Sequence, residues 1–272
     1  MSRPGLVILG IFAGVALFAP LVAPYHPKTD TDSSLQSPSA SHLLGTDDVG
    51  RDILSQLLVG GRTSLLVGLS AGLAATCLGC LVGLVAGYFG GTLDRLLMRT
   101  VDFFLAIPRL PLLVVLAAYL GAGIWVIVIA FVLISWAFPA RMVRAQVLVE
   151  RQKAYVISAR LSGASWHYIL RKHILPPVAP LLTAIVIIET SHAVMAEAGL
   201  SFLGLGDPTC VSWGTILHHA FAYPSLFLDA SWLWWALPPG ACLSLLLLSL
   251  ALVGTSMEGR VDPRLKGGRL AR

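Results

Sequence analysis

The chain has 272 residues, of which 56% are apolar and 12% charged, about half the charged share of an ordinary soluble domain. That balance excludes a soluble enzyme, and apolar runs of about twenty residues are too long for the strands of a membrane β-barrel. The net charge of +5 comes from basic residues spread over short segments, not gathered into an arm, so nucleic acid is not an expected partner.

The first apolar run, Gly5–Ala23, follows Arg3. Its small residues from Ala19 to Ala23 resemble a signal cleavage site, but its apolar core is longer than the usual ~7–15 residues, which favours an uncleaved span. Pro24–Gly61 is polar and carries Asp30, Asp32, Asp47, Asp48 and Asp52. A second span is expected over Ser64–Tyr88. There Gly68, Gly72, Gly79, Gly83 and Gly87 stack small residues along one helix face and invite a close helix–helix contact, within the chain or with another subunit. A short basic segment with Arg95, Arg99 and Arg109 comes next. The long apolar region Leu110–Ala140 follows, and Gly121–Gly123 divides it into a hairpin of two spans. Arg141–Pro177 is strongly basic, Val178–Ala198 reads as the fifth span, Gly199–Leu233 as an extended loop rich in aromatics and glycine, and Trp234–Ser256 as the sixth.

An all-α, polytopic protein with six transmembrane helices and both termini cytoplasmic puts sixteen of the nineteen Lys and Arg residues inside, leaving only Lys28, Arg51 and Arg62 outside. Trp232, Trp234 and Trp235 suit the outer interface. Cys77 and Cys80 lie inside an apolar run without further ligands, so no permanent metal site is expected.

The chain carries no phosphate-binding loop, no zinc-protease motif and no nucleophile beside a base. Vectorial work would therefore draw on a partner or an ion gradient. The deep ionisable groups are concentrated in the fifth span, where Glu189, His192 and Glu197 occupy one sector of about 140°. An unpaired acid at mid-bilayer costs about 2.5 kcal/mol or more, so the three should face protein or a wet cavity. They either line a translocation path or form a buried polar set that fixes packing. A stand-alone ion-coupled carrier or channel, the alternative reading, would need such groups on several spans and an internal repeat.

Between the fourth and fifth spans, Val156, Ile157 and Leu161, then Trp166, Ile169 and Leu170, follow helical spacing on either side of Gly163. Two short amphipathic helices are expected, lying on lipid or docking a cytoplasmic protein.

This segment resembles the cytoplasmic signature of binding-protein-dependent permeases in ATP-binding cassette importers: Glu-Ala-Ala, three residues, Gly, nine residues, Ile-x-Leu-Pro. Ile157-Ser158-Ala159 stand at the opening, Gly163 matches, and His173-Ile174-Leu175-Pro176 matches the close; the glutamate and first alanine are replaced. His42-Leu-Leu-Gly-Thr-Asp-Asp-Val-Gly-Arg-Asp52 and Gly199-Leu-Ser-Phe-Leu-Gly-Leu-Gly206, with Ser212-Trp-Gly214 after it, are similar to stretches of the second permease subunit in dipeptide, oligopeptide and nickel importers.

The resemblance implies an inner-membrane permease subunit without its own ATPase site, forming half of a path for nickel, a metal chelate or short peptides. Its implied partners are a homologous permease, two cytoplasmic ATPases that use ATP and magnesium, and an extracytoplasmic solute-binding protein; no cofactor is expected on this chain. Residues 1–62 would hold the first helix and an extracytoplasmic segment, and residues 63–272 a five-helix permease domain. The resemblance assigns ATPase coupling to Ile157, Ser158, Ala159, Gly163, Ile174, Leu175 and Pro176, with a short coupling helix moving as a rigid body with its partner. Asp47, Arg51 and Asp52 read as a clasp at the outer mouth, while Phe202, Gly204 and Gly206 read as part of an outer gate that reinserts under protein cover. The wording around Arg141–Arg144, Ser158–Ala164 and His192 resembles the nickel branch somewhat more than the dipeptide branch. His218 and His219 are adjacent and should point apart, as a surface pair.

Overall fold

Glycine spacing in the second span sets the architecture. In the computed structural model, which describes residues 3–29 and 33–261, that span is the helix α2, Ile53–Phe89, and α1 is Arg3–Val22. A 37-residue helix rises about 55 Å, well beyond the ~30 Å hydrocarbon core. The expected domain boundary at 62/63 falls inside α2 and marks no break in the fold. After α2 come α3 (Gly91–Ala106), α4 (Arg109–Leu120), α5 (Ile124–Ser135) and α6 (Ala137–Glu150). Then follow α7 (Ala154–Leu161), α8 (Trp166–Ile169), a π-helical turn over Leu170–Ile174, α9 (Leu175–Phe202), α10 (Trp213–Ala222), α11 (Trp232–Trp235) and α12 (Leu237–Val261). Among the described residues the only β-pairing is an isolated bridge, Thr46 with Asp52.

The glycine face of α2 is used within the chain. Gly68 and Gly72 lie against Val194 and Thr190 of α9, and Gly79, Gly83 and Gly87 lie against α6. A Cβ on Gly72 would sit 2.6 Å from the Thr190 amide nitrogen, and one on Gly79 2.5 Å from the Trp136 carbonyl oxygen. Close backbone approach is the physical gain of small residues in a membrane helix, where apolar attraction alone does not distinguish a neighbour from lipid.

Among the described residues four helices are long and apolar enough to cross a membrane, or up to six spans if each of two bent pairs is one span. The pairs correct the expected third and fourth spans. Gly91–Ala106 and Arg109–Leu120 meet at 86°, and Ile124–Ser135 and Ala137–Glu150 at 42°. Both breaks have proline causes. Ile107, ahead of Pro108, is pushed to an extended backbone (ψ 131°), which ends α3. Pro139 cannot donate to the Ser135 carbonyl and crowds it, which bends α5 into α6. The Gly121–Gly123 hairpin stands as expected, with Gly121 at φ 88°. The segment expected as a basic linker is mostly helix, and it pairs with the next span. Arg144 Nη2 donates to Asp94 Oδ2 at 2.6 Å, and Arg141 pairs with Asp102.

The expected extended loop after α9 contains a real helix. Ser212 and Thr215 form a reciprocal capping box that starts α10. Trp213 buries its ring there and donates from Nε1 to the Leu57 carbonyl at 2.9 Å. Asp207 Oδ2 accepts from the Ile124 amide at 3.2 Å, tying this loop to the α4–α5 hairpin. Hydrogen bonds from Thr209 hold the Asp207 carboxyl below its ordinary range, ahead of the opposing push of burial.

Candidate functional site

Glu189 is the midpoint of α9, and the residue after it, Thr190, packs on Gly72, near the middle of α2. Its carboxylate is fully buried, and neither oxygen accepts a hydrogen bond. The compensating charge is Arg109, whose Nη1 lies 3.6 Å from Glu189 Oε2 and 3.5 Å from His192 Nδ1. Sequence reading put Arg109 on the cytoplasmic side. The structure sets it beside the midpoint of α9, because the break at Pro108 turns the chain and leaves Arg109 in the first turn of α4. Its guanidinium also stands 5.9 Å from the Phe138 ring centroid.

His192 is half exposed and lies between two cavities. One, of about 180 Å³, is lined by Arg109, Leu113, Phe131, His192 and Met195; the other, of about 230 Å³, by Ile188, His192, Leu250 and Thr255. Glu197 does not join them. It is buried on the α2 side, where Ser64 Oγ donates to Oε2 at 2.9 Å and Ser201 Oγ to Oε1 at 2.8 Å. The fifth-span triad therefore splits: His192 lines both cavities, Glu189 is buried behind it, and Glu197 is held by serine hydroxyls on the α2 side. Ionisable groups stand on two spans, α4 and α9, which sequence reading had not found. Among the described residues no group of three or more His, Cys, Asp or Glu is placed to hold a metal ion.

At the α7 end, Gly163 terminates α7 with φ 77°; its amide donates to Arg160 O and the Ala164 amide to Ala159 O, a Schellman cap. Ile157, Leu161 and Trp166 are exposed, whereas Val156, Ile169 and Ile174 are fully buried. Ser158 is exposed, Ala159 and Leu175 are half-buried and Pro176 is exposed. Ile174 is thus an anchor of the core, not a docking residue. Glu150 was not singled out from the sequence, yet it joins α6 to α7: its carboxylate accepts from Tyr155 Oη at 2.7 Å, Lys153 Nζ at 2.7 Å and Gln146 Nε2 at 3.1 Å. Burial pushes the Glu150 carboxyl up, and these donors more than offset it, leaving it below its ordinary range. Burial and the bond to Glu150 push the Tyr155 hydroxyl to about 12.

At the opposite end, Asp47 and Asp52 are buried in a clasp. Asp47 Oδ1 accepts from the Arg51 amide at 2.8 Å and Oδ2 from Gln56 Nε2 at 2.8 Å. Asp52 caps α2, accepting from the Ser55 amide at 2.8 Å, and its other oxygen lies 3.0 Å from His42 Nδ1. The two carboxylates are thus held by backbone amides, Gln56 and His42. Phe202 is the last residue of α9 and meets the Phe221 ring edge-on, centroids 5.4 Å apart; it and Leu203 are exposed on this chain. Gly204, at φ 80°, turns the chain back, and Gly206 packs on Ser201. His218 Nδ1 lies 2.8 Å from the Phe202 carbonyl oxygen, and His219 faces a cavity with Lys28 and Arg51. The tail residues Arg264, Lys266, Arg269 and Arg272, the side chains of Arg3 and Arg260, and Asp30 and Asp32 lie outside the described residues.

Residues 79–267 match the family described as the binding-protein-dependent transport system inner membrane component. The chain belongs to that family. Residues 4–38 of this permease match the N-terminal transmembrane domain of oligopeptide transport permease C. The permease is 37% identical over 262 residues to a putative peptide permease protein of Brucella suis, covering 96% of this chain and 86% of that one. It is 36% identical to the nickel transport system permease protein NikC of Escherichia coli K12, covering 97% and 94%. It is 38% identical to the di/tripeptide transport system permease protein DppC of Pseudomonas aeruginosa, covering 96% and 88%. A solved structure of the inward-facing MetNI methionine ABC transporter shares the fold, with a TM-score of 0.56 and 20% identity, covering 79% of this chain and 96% of that one. This permease is thus a multi-pass inner-membrane transport component, not an ATPase.

Proposed function

We propose that this permease forms one half of a solute path, pairs with a homologous permease, receives solute from an extracytoplasmic binding protein and is driven by two ATPase subunits, one of them docked on α7. The observation that carries the reading is the capped α7–α8 elbow, which buries Val156 and Ile169 in its own bundle and leaves Ile157, Leu161 and Trp166 for a partner. A short helix held rigidly at one end transmits displacement of its partner to α6 and α9.

Both termini are cytoplasmic in this reading. With Arg109 taken out of the cytoplasmic set, the positive-inside count assigns fifteen of the nineteen basic residues of the sequence to the cytoplasm. Solute passes beside Arg109, Glu189 and His192, and the Asp47–Asp52 clasp steadies the outer end of α2. Short peptides and nickel chelates are the two substrate classes, in line with the names of the relatives. Uptake of labelled dipeptide against labelled nickel, in cells deleted for this chain and in the same cells complemented, tests the reading. Loss and recovery of one of them is the expected result; unchanged uptake of both, or uptake by the purified chain with no ATPase attached, would refute it.

A further inference from the structure

Resting on the path reading above, the mid-depth cluster carries a statement about what kind of solute passes. Glu189 is a buried carboxylate without a hydrogen bond, and its nearest cation is 3.6 Å away, beyond hydrogen-bonding distance. Such an ion pair is unsaturated on both sides. A buried carboxylate normally collects several donors, and an arginine carries five N–H groups in a planar fork suited to two carboxylate oxygens. Arg109 offers only a distant edge to Glu189 and His192, and its side chain is 28% exposed toward the cavity lined by Leu113, Phe131 and Met195.

The position of Arg109 on its helix points the same way. It opens α4, whose first turn contains no acid. A cation there adds to the positive end of the helix dipole instead of neutralising it. Glu189 cancels one unit of charge, and the exposed end of a half-helix leaves a residual positive potential. Broken helices that present an N-terminus at the membrane midplane suit anionic groups of a solute, because a fixed dipole and a guanidinium there act in a low dielectric. A bare divalent cation would meet the same potential as a barrier, and among the described residues no group of three ligands is placed to replace its water.

We propose that Arg109 is a specificity-determining residue that binds the carboxylate of the passing solute, with Glu189 holding the guanidinium in place between solutes. The carboxylate has two sources: the C-terminus of a short peptide, or a carboxylate chelator around a metal. In both, the guanidinium keeps one edge on Glu189 and offers its free N–H groups to the solute.

The test uses the complete importer in proteoliposomes, with both permeases, the ATPases and the binding protein. Alanyl-alanine is compared with its C-terminal amide, and radiolabelled nickel is compared with and without citrate. The same binding protein serves all variants, so a changed preference belongs to the permease. Arg109→Gln alone strands Glu189, so the decisive variant is Arg109→Gln with Glu189→Gln, alongside Arg109→Lys. The wild type is expected to favour alanyl-alanine over the amide, or nickel citrate over bare nickel. In the double variant that ratio should fall at least about tenfold, chiefly through KM, as loss of a charge-assisted bond requires. Arg109→Lys should keep most of it.

An assembled double variant with unchanged preference overturns the assignment. So does a wild type that takes up bare nickel faster than nickel citrate, and so does a double variant that fails to assemble while Arg109→Lys assembles, which would make the pair a packing device. A wild-type importer that moves none of these solutes refutes the path reading itself, and the role of Arg109 falls with it.

Discussion

Gly72 of α2 lies so close to Thr190 of α9 that a Cβ on the glycine would sit 2.6 Å from the Thr190 amide nitrogen and 2.6 Å from its hydroxyl. The neighbour is backbone, so it cannot swing aside. Gly72→Val should therefore separate α2 from α9, at a cost of about 1–3 kcal/mol or more for overpacking. Thermal unfolding in detergent should show a lower midpoint and less assembled importer. Gly10→Ala, on α1 with nothing within 4 Å of the added carbon, should leave both unchanged.

Glu150 fastens the elbow to α6. Its carboxyl is held below the ordinary range by Lys153, Tyr155 and Gln146 against the push of burial, so the charged form is the one the fold favours. This contribution is present above the carboxyl's ordinary range near 4.5 and is lost as pH falls through the lowered folded value. Glu150→Gln should destabilise the permease at neutral pH, and the difference from wild type should shrink as the pH is taken below 4.5. Tyr155→Phe removes one donor from a half-exposed ring and should cost about 1 kcal/mol. Denaturation midpoints across a pH series would check the pair.

Gly163 occupies the left-handed region at φ 77° with open space around it. Bulk is therefore not excluded by its own chain, and the penalty of substitution is backbone strain, about 1–2 kcal/mol for a β-branched residue. Gly163→Val should uncouple ATP hydrolysis from uptake in the reconstituted importer, while Gly163→Asn, which tolerates that conformation, should retain most of the coupling. Equal transport per ATP in both variants would remove the elbow from the mechanism.

His192 and Glu197 share a helix and part company in role. His192→Ala should lower solute uptake without changing the amount of permease in the membrane. Glu197→Gln disturbs the acceptor of two buried serine hydroxyls and should reduce abundance, by about 1–3 kcal/mol of stability, before it alters transport per molecule. Quantitative immunoblotting beside uptake separates the two.

Much of this permease was legible in its sequence, because the governing physics is one-dimensional. Hydrocarbon thickness fixes the length of an apolar run, so α1, α2, α9 and α12 follow from composition, and the Gly121–Gly123 turn follows from backbone freedom. Gly163 between two amphipathic stretches specified the elbow for the same reason. The family motifs lie in these segments, which are local in sequence.

What only the tertiary structure decided concerns partners distant in the chain. Proline marks where a helix breaks, but the direction taken by α4 after Pro108 depends on what α9 offers it. Arg109 therefore read as one more cytoplasmic arginine until Glu189, midway along α9, stood beside it. Glu197, similarly, stood open between path lining and packing by helical angle, until Ser64 came within reach of its carboxylate. A charge inside a membrane is tolerable only with its counter-charge or donors, and those come from helices whose proximity no local pattern encodes.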